Sequence, residues 1–552
     1  MNREKDGCKR TSLWLILGVL ALGLGEPLWN CTDIVVGKKA SADGSVIVSH
    51  TGCGADCRLL VIPAGRFRVG ATTPVYCGIQ DVKKPLGSFG EVIGRIPQVE
   101  NTHAYIHSAY PHINEYQLAI AESTMSQREE LRVDRESGEQ IMTIEQDMAF
   151  ALQRCKRARE AVRLIASLVE EYGFLPSCGP ESEALCIADP DEVWVLEVFS
   201  VGKGWRRQSG KLGALWAAQR LPDDHVAVIP NWSIIKEIDL GKPDWFMASK
   251  NYRQMAVDFG WYDPASGKPF IWQEVYSPPP REWAVSRFWL FFSQMAPSLK
   301  RWPDKSLQHP LKGYDAYHQY LEPVSAYPFS IKPDKKVSVR DVMAFQRSVF
   351  AGTVYDMTAD TDWLVPDGKG GMAKSPLTTP FPTRDWRALL DITWRRNVSR
   401  GGYGMVTQLR GWLPDPIGGV YWFYLDNQHT STYVPIYCGV TDVSPLYKVY
   451  DPDRFDEASA RWAIDFVDNL LYLRWQEAIK DLRKLRDPLE AGFFSELVEV
   501  DRKAVDLYRR NPQKARRYLT RHTISCMERV VDMYRELRRF LISKYTNNKL
   551  GS

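Results

Sequence analysis

The chain has 552 residues, of which 44% are apolar and 25% are charged, and its formal net charge is +4. This composition supports a large buried core and excludes a disordered chain. The basic excess lies in the tail, where fourteen Lys and Arg residues face five Asp and Glu residues from Asp501 onward. Because these charges are scattered, they favour a solvated helix face over a surface for acidic partners, and we expect no nucleic-acid partner.

An apolar leader opens the chain. Lys5, Lys9 and Arg10 precede an uncharged run over 11–25, which is the pattern of a secretory signal. The run is shorter than the roughly 20 residues that a membrane-spanning helix needs, and no later segment is long and apolar enough. We therefore expect 1–30 to be a signal and propeptide leader, and the processed protein to be exported without a stable membrane span. An uncleaved anchor helix stays open as an alternative, because no A-x-A cleavage site is evident.

Cys31 stands between this leader and the first predicted strand. The strings CTDIVVG and SVIVSHT flank a turn at Asp43-Gly44, which is a hairpin signal because glycine adopts positive φ at little cost. Further strand-like runs are rich in β-branched and aromatic residues: RLLVIPA, HAYIHSAY, EVWVLEVFS, HVAVIPNWSII, GVYWFYL and TYVPIYCGV. Together they predict a large antiparallel sheet system.

Helical patterns alternate with these strands. In EQDMAFALQRCKRAREAVRLIASLVEEYG, apolar residues recur at helical spacing through Met148, Leu152 and Cys155, which predicts one continuous helix face. After Pro452 the chain reads as successive helices with breaks near Pro488 and Pro512. The sequence therefore predicts an α+β protein with a helical C-terminal extension.

The ten cysteines form no evident metal motif. Cys53 and Cys57 are close in sequence, but no second cysteine pair completes a zinc site. We expect a disulfide or two buried thiols there, and export would permit disulfides elsewhere, whose pairing cannot be deduced. We expect neither a metal nor another cofactor.

A cysteine at the first position of a processed chain carries a thiol and an α-amine on one residue. An α-amine has an ordinary pKa of about 8, so it can accept the thiol proton as the sulfur attacks a carbonyl. Cleavage between Asn30 and Cys31 would thus create a nucleophile with its own base and no need for a catalytic histidine. Lipidation of Cys31 is an alternative that Trp29 and Asn30 oppose, since a lipoprotein needs small residues there.

The string CTDIVVGKKASADGSVIVSHT closely resembles the opening of the dipeptidase A family, the cysteine-type N-terminal nucleophile hydrolases of peptidase family C69, which are related to the secernins. The likeness continues through NEYQLAIAEST and TQLRGWLPDPIGGVYWFYLDN and covers most of the chain from Cys31 to about Gly439. It implies a four-layer αββα sandwich over 31–445, followed by the helical extension at 446–552. It also implies self-processing before Cys31 and hydrolysis of short peptides through a thioester on Cys31.

Likeness to the wider group that includes penicillin V acylase and bile salt hydrolases implies roles for other residues. Asn231 aligns with an asparagine of the oxyanion hole, although a strand-end turn or an N-W-S glycosylation sequon would also explain it. His50 stands where many relatives place an arginine and is a candidate for substrate binding. Asn114 and Arg400 are two more such candidates, with turn capping and structural use as their respective alternatives.

The sequence thus predicts an exported dipeptidase. One alternative is a hydrolase of non-peptide N-acyl amides with the same core, and another is an envelope binding protein anchored through a lipidated Cys31. Asp56 and Arg58 could join the substrate shell or form a surface ion pair, and Arg410 could replace Arg400 or be structural. The oligomeric state stays open, a homo-oligomer included.

Overall fold

The computed structural model of the protein describes residues 31–52, 54–278, 282–302, 304–305, 327–392, 397–398 and 401–548. The predicted leader at 1–30 lies outside the described residues, as do Cys53 and Arg400. Within the described ranges, no helix combines the length and the apolar character that a membrane crossing requires.

One large sheet contains the strand that follows Cys31. Its strands are β1 (Asp33–Val36), β2 (Val46–Gly52), β12 (Val226–Ile229), β16 (Tyr403–Leu409), β17 (Gly419–Leu425) and β18 (Val434–Tyr437). They run antiparallel in the order β12-β1-β2-β16-β17-β18. The predicted β1–β2 hairpin is confirmed: Gly44 has a φ of 86°, and Asp43 accepts hydrogen bonds from the hydroxyls of Ser41 and Ser45.

A second antiparallel sheet has eight strands. They are β3 (Leu60–Ile62), β6 (Tyr105–His107), β7 (Pro111–Asn114), β8 (Ala119–Met125), β9 (Ser182–Ala188), β10 (Val193–Phe199), β11 (Leu215–Arg220) and β13 (Phe246–Ala248). Their order is β13-β11-β10-β9-β8-β7-β6-β3. Two ribbons are separate, one of β4 (Thr72–Cys77) with β5 (Glu91–Pro97) and one of β14 (Leu364–Pro366) with β15 (Met372–Lys374).

The two large sheets contact each other through β1 and β2 on one side and β8 and β9 on the other. Every residue of these four strands is buried. Because successive side chains point to opposite faces of a strand, both faces of each sheet are covered there. Full burial of an aliphatic side chain contributes about 1.5–3 kcal/mol, so this contact is a main source of stability.

Helices cover both sheets. Before residue 446 they are α1 (Ile144–Arg154), α2 (Ala158–Tyr172), α3 (Tyr252–Asp258), α4 (Trp272–Tyr276), α5 (Glu282–Met295), α6 (Val339–Gln346), α7 (Arg384–Leu389) and α8 (Asp415–Gly418). α1 contacts β7, α2 contacts β9 and β10, and α6 contacts β2 and β16.

The predicted single helix around Cys155 is in fact two helices. Cys155 is extended, with a ψ of 153°, and separates α1 from α2. The new N-terminus is stabilised from another element, because Asp189 accepts a hydrogen bond from the backbone N–H of Ala158 over 2.8 Å. The apolar spacing does not reveal the break, since both helices bury the same kind of face.

Three further helices end the chain: α9 (Ala460–Leu471), α10 (Trp475–Arg510) and α11 (Pro512–Tyr545). The predicted break near Pro512 is confirmed, and Asn511 caps α11 by accepting a hydrogen bond from the N–H of Lys514. The predicted break near Pro488 is wrong, because α10 continues through it. An interior proline costs about 3 kcal/mol, which the packing of α10 along α11 offsets.

The helical C-terminal region packs on the six-stranded sheet. α11 contacts β18, and Arg410, directly after β16, forms an ion pair with Asp501 of α10. The helical character predicted for this region is confirmed, whereas the domain boundary at residue 446 stays a prediction.

Candidate active site

Cys31 lies two residues before Asp33, the first residue of β1, and is 2% exposed. β1 pairs with β12 so that Asp33 faces Ile229. In an antiparallel pair each step along one strand is matched by a step back along the other. Cys31 and Asn231 each lie two residues beyond this pair, at the same end of the β1–β12 ladder, although they are 200 positions apart in the sequence.

Arg287 of α5 binds the segment that contains Cys31 and the segment that contains Asn231. Its Nη1 donates to the carbonyl oxygen of Cys31 over 2.6 Å and to Oγ1 of Thr32 over 2.7 Å. Its Nη2 donates to the carbonyl oxygen of Pro230 over 2.8 Å and to Oδ1 of Asn231 over 3.2 Å. Hydrogen bonds to a charged group contribute about 1.5–3 kcal/mol each. One buried guanidinium thus fixes Cys31 and Asn231 relative to each other.

Thr32 anchors the same backbone to two other segments. Its N–H donates to Oγ1 of Thr51 over 2.8 Å, and its hydroxyl donates to the carbonyl oxygen of Val398 over 2.8 Å. Thr51 lies on β2, the neighbouring strand of the sheet. The main chain next to Cys31 is therefore held in one conformation before any substrate arrives, which is what precise catalysis needs.

Asn231 has a left-handed backbone, with a φ of 59°. Asparagine tolerates this conformation better than most other residues. Its N–H donates to Oγ of Ser123 over 3.1 Å, and its Nδ2 donates to the carbonyl oxygen of Thr124 over 2.9 Å. Since an amide nitrogen carries two hydrogens, the second can be offered to an oxyanion. The strand-end turn that the sequence offered as an alternative is present, and a site role of the amide stays a prediction.

His50 and Asp33 form a fully buried pair, and Asp33 lies two residues after Cys31. Nδ1 of His50 lies 3.0 Å from Oδ1 of Asp33, and both side chains are 0% exposed. Burial, with the carboxylate of Glu122 and the thiol of Cys31 nearby, raises the pKa of Asp33 well above its usual value. Burial and the neighbouring His112 hold the pKa of His50 well below its usual value. Both shifts favour neutral forms, so the pair adds little net charge beside Cys31.

A buried polar layer continues from this pair into the eight-stranded sheet. The hydroxyl of Tyr403 accepts a hydrogen bond from the N–H of Tyr110 over 3.2 Å and lies 3.2 Å from Nε2 of His112. Glu122 on β8 and Glu183 on β9 share one face of the sheet. Burial raises the pKa of both carboxyls, and the charge of Glu122 raises that of Glu183 further. Both shifts favour the protonated forms of these carboxyls.

The other predicted site residues have structural contacts or lie outside the described residues. Asn114 donates from Nδ2 to the carbonyl oxygens of Leu152 and Cys155, while its Oδ1 accepts from the N–H groups of Tyr116 and Leu118. Its amide thus fastens a turn to the end of α1. Arg400 lies outside the described residues, and its substrate role stays a prediction.

The alternative candidates Asp56, Arg58 and Arg410 also have structural contacts. Asp56 and Arg58 do form an ion pair, over 2.7 Å, but it is buried and joined by Lys84, so the expected surface position was wrong. Arg410 uses its guanidinium on Asp501 and on the carbonyl oxygens of Ile417 and Gly418.

Sequence reasoning missed Arg287, Asp33 and Glu122. A signal for Arg287 does exist, because it is the one cation in the apolar string EWAVSRFWLFFSQM of α5. A buried charge in such a string needs partners, and here they are carbonyl and hydroxyl oxygens. Asp33, two residues after Cys31, lies on the same face of the strand as the cysteine. No sequence spacing links Glu122 to this site.

Metal ligands are grouped elsewhere. Among the described residues, Glu496 of α10 and His522 and Cys526 of α11 form a group of three side chains whose possible ligand atoms lie close together. Of the predicted cysteine pair, Cys57 is a buried free thiol and Cys53 lies outside the described residues. Other free thiols in the part of the chain that the structure describes are Cys77, Cys155, Cys178, Cys186, Cys438 and Cys526.

Comparison with known proteins places these observations in a family context. The family model described as peptidase family C69 matches residues 30–487. A protein named probable dipeptidase B from Streptococcus pyogenes serotype M1 is 22% identical over 556 residues, covering 98% of this chain and 99% of its own length. Proteins named probable dipeptidase are 24% identical in Latilactobacillus sakei (82% of this chain, 84% of its own) and 23% identical in Salmonella dublin (78% and 86%).

Proposed function

The chain belongs to peptidase family C69, as its sequence resemblance indicated, and from this membership we propose that it is a dipeptidase whose nucleophile is Cys31. The observation that carries the proposal is that Arg287 bonds to both Cys31 and Asn231, which lie beyond the same end of the β1–β12 ladder. A nucleophile, an amide donor and a rigid support thus meet at one strand end.

The proposed reaction begins with removal of the leader, which exposes the α-amine of Cys31. That amine takes the thiol proton while the sulfur attacks the carbonyl carbon of the peptide bond. The negative charge that develops on the carbonyl oxygen is stabilised by the second Nδ2 hydrogen of Asn231. The α-ammonium then gives its proton to the leaving amine as the carbon–nitrogen bond breaks, and a thioester on Cys31 remains.

Water completes the cycle. The α-amine accepts a proton from water as the water oxygen attacks the thioester, and the oxyanion again forms beside Asn231. The carbon–sulfur bond breaks, the proton returns to the thiolate, and the free carboxylic acid leaves. In this scheme Arg287 is a positioning residue, because it acts on the backbone of Cys31 and on the side chain of Asn231 and not on the substrate.

The choice of dipeptides as substrates rests on the relatives. The bacterial proteins with which this chain aligns over most of its length are named probable dipeptidases. The family membership supports peptide hydrolysis, and the shared names support short peptides within that class. The N-acyl amide alternative uses the same chemistry at Cys31 and differs in what surrounds the scissile bond.

We also infer the four-layer αββα fold from the family and from the contacts. Two antiparallel sheets contact each other, α1 and α2 contact strands of one, and α6 and α11 contact strands of the other. These contacts support the proposed layer order. The four-layer fold and the export of the protein both belong to this proposal. The reaction can start only after the leader has been removed.

Intact mass and N-terminal sequencing of the wild type and of Cys31→Ala test the proposal. We expect a wild-type chain that begins at Cys31 and a variant that keeps a longer N-terminus. Purified wild type should then hydrolyse unblocked dipeptides faster than their N-acetylated forms or N-acyl amides. A wild type that retains residues before Cys31 and hydrolyses dipeptides would overturn the mechanism. Faster hydrolysis of N-acyl amides would replace the substrate class.

A further inference from the structure

A second cluster of reactive side chains lies between the two longest helices. His522 and Cys526 are four residues apart on α11, and Glu496 faces them from α10. Residues four apart lie on one side of a helix, one turn above the other. The nearest ligand atoms of the three side chains all lie within 4.8 Å of one another. This cluster contributes nothing to the site around Cys31.

The geometry fits a tetrahedral metal ion. Sγ of Cys526 lies 3.5 Å from Nε2 of His522. Zinc–sulfur and zinc–nitrogen bonds of about 2.3 and 2.0 Å at a tetrahedral angle give a sulfur–nitrogen edge of about 3.5 Å. Sγ of Cys526 and Nε2 of His522 are therefore already as far apart as two atoms that bind the same zinc ion. A carboxylate oxygen of Glu496 lies within 4.8 Å of both atoms and is the candidate third ligand.

The surroundings suit a bound cation. Arg529 donates to both oxygens of Glu496 over 2.9 Å, and each oxygen keeps a second lone pair for a metal. Hydrogen bonds of this kind orient the carboxylates that bind metals. Glu496 is 36% exposed, which leaves an entry path and room for a water as the fourth ligand.

We propose that Glu496, His522 and Cys526 bind a zinc ion that links α10 to α11. Thiolate and imidazole ligands favour zinc over the oxygen-seeking ions magnesium and calcium. The ion would fasten the helical hairpin from one side, so the proposed role is structural and independent of the peptidase reaction.

Cobalt(II) provides the direct test, because a thiolate bound to it gives a charge-transfer absorption. We expect the metal-free, untagged protein to bind one cobalt ion with this absorption and to release it to zinc. Cys526→Ala should lose the absorption, and His522→Gln should bind at least about tenfold more weakly, since even outer-shell losses cost about 10- to 100-fold. Zinc should raise the midpoint of thermal unfolding of the wild type but not of His522→Gln, which keeps the buried Cys526.

Two cysteine variants serve as controls. Cys438 is another buried free thiol, whose Sγ donates to the carbonyl oxygen of Asp415. Cys438→Ala and Cys31→Ser should both keep the cobalt absorption. Absence of bound cobalt, or binding that survives both Cys526→Ala and His522→Gln, would overturn the proposal. Loss of binding in Cys31→Ser alone would do so as well, because the metal would then be at the peptidase site.

Discussion

Nη1 of Arg287 donates to the carbonyl oxygen of Cys31 across 2.6 Å, although 256 residues separate them in the chain. The guanidinium is 1% exposed, and its Nε donates to the carbonyl oxygen of Trp283 on its own helix. It therefore joins α5 to the strand end that carries the proposed nucleophile. Its acceptors include carbonyl, hydroxyl and amide oxygens, so removing the guanidinium leaves several buried acceptors without this donor.

Arg287→Met should impair both stability and processing. Methionine keeps much of the apolar volume but loses every hydrogen bond, and hydrogen bonds to a charged group contribute about 1.5–3 kcal/mol each. We expect the free energy of unfolding in urea to fall by about 2–4 kcal/mol and intact mass to show slower removal of the leader. Arg253→Met, at an exposed arginine on α3, should change neither. Wild-type stability and processing of Arg287→Met would contradict the positioning role.

Cys31→Ala should abolish dipeptide hydrolysis, whereas Cys31→Ser should retain slow processing or slow turnover. Serine keeps a nucleophilic atom beside the α-amine, and alanine keeps none. Both variants should give the far-ultraviolet circular dichroism of the wild type, because the changes in volume are small. Cys77→Ala, at a half-buried thiol on β4, is the matched control and should hydrolyse dipeptides normally. Full activity of Cys31→Ala would rule out the mechanism.

Asn231→Gly tests the contribution of the side-chain amide apart from that of the backbone conformation. Glycine adopts a φ of 59° without strain, so the turn is kept while the amide is lost. We expect kcat/KM for a dipeptide to fall by about 10²–10³-fold, the usual effect of removing an oxyanion donor. Lys300→Gly, at an exposed residue with a φ of 47°, should leave kcat/KM unchanged. A decrease of less than about fivefold in Asn231→Gly would argue against the proposed role.

Glu183→Gln should remove a pH-dependent destabilisation. Burial and Glu122 raise the pKa of Glu183, so the folded wild type binds a proton that the unfolded chain releases above about pH 4.3. The stability of the wild type relative to Glu183→Gln should therefore fall as pH rises, by up to about 1.4 kcal/mol per pH unit, until the raised pKa is passed.

Urea unfolding at a series of pH values between acid and neutral measures this difference. At low pH the two proteins should be nearly equal, because a glutamine amide can donate to Glu122 as a protonated carboxyl does. Glu129→Gln, at an exposed position, should follow the wild type throughout. A wild type that gains stability relative to Glu183→Gln as pH rises would have the opposite sign and would refute the raised pKa of Glu183.

Arg347→Met should weaken the attachment of the C-terminal helices. Arg347, directly after α6, forms two hydrogen bonds with Glu490 of α10, over 2.9 and 2.6 Å, and both side chains are at most 16% exposed. Breaking such a pair from one side costs about 3–5 kcal/mol because a buried charge is left unpaired. The double variant Arg347→Met/Glu490→Leu should recover part of that loss in urea unfolding.

The exposed ion pair of Lys480 and Glu477 on α10 is the control for the Arg347 and Glu490 variants. Their side chains are 62% and 47% exposed, so Lys480→Met should cost no more than about 1 kcal/mol. Equal losses for Arg347→Met and Lys480→Met would show that burial does not strengthen the first pair.

Local sequence determined the elements whose signals are local. The β1–β2 hairpin follows from β-branched residues around Asp43-Gly44, and the start of α11 follows from Asn511 and Pro512. The family could also be identified, because the motif after Cys31 is long and continuous. The sequence alone indicated that Asn231 is a polar residue at the end of a predicted strand. Its role in the reaction stays a prediction.

Tertiary structure decided what depends on distant partners. The break at Cys155 is stabilised by Asp189 from a strand connection, and α10 passes through Pro488 because α11 packs along it. Cys31 and Asn231 lie at the same strand end only because β12 lies beside β1, and Arg287 joins them only because α5 is folded against that end. Periodicity and turn signals act over a few residues, whereas buried charges and strand register are satisfied by whichever segments the fold brings together.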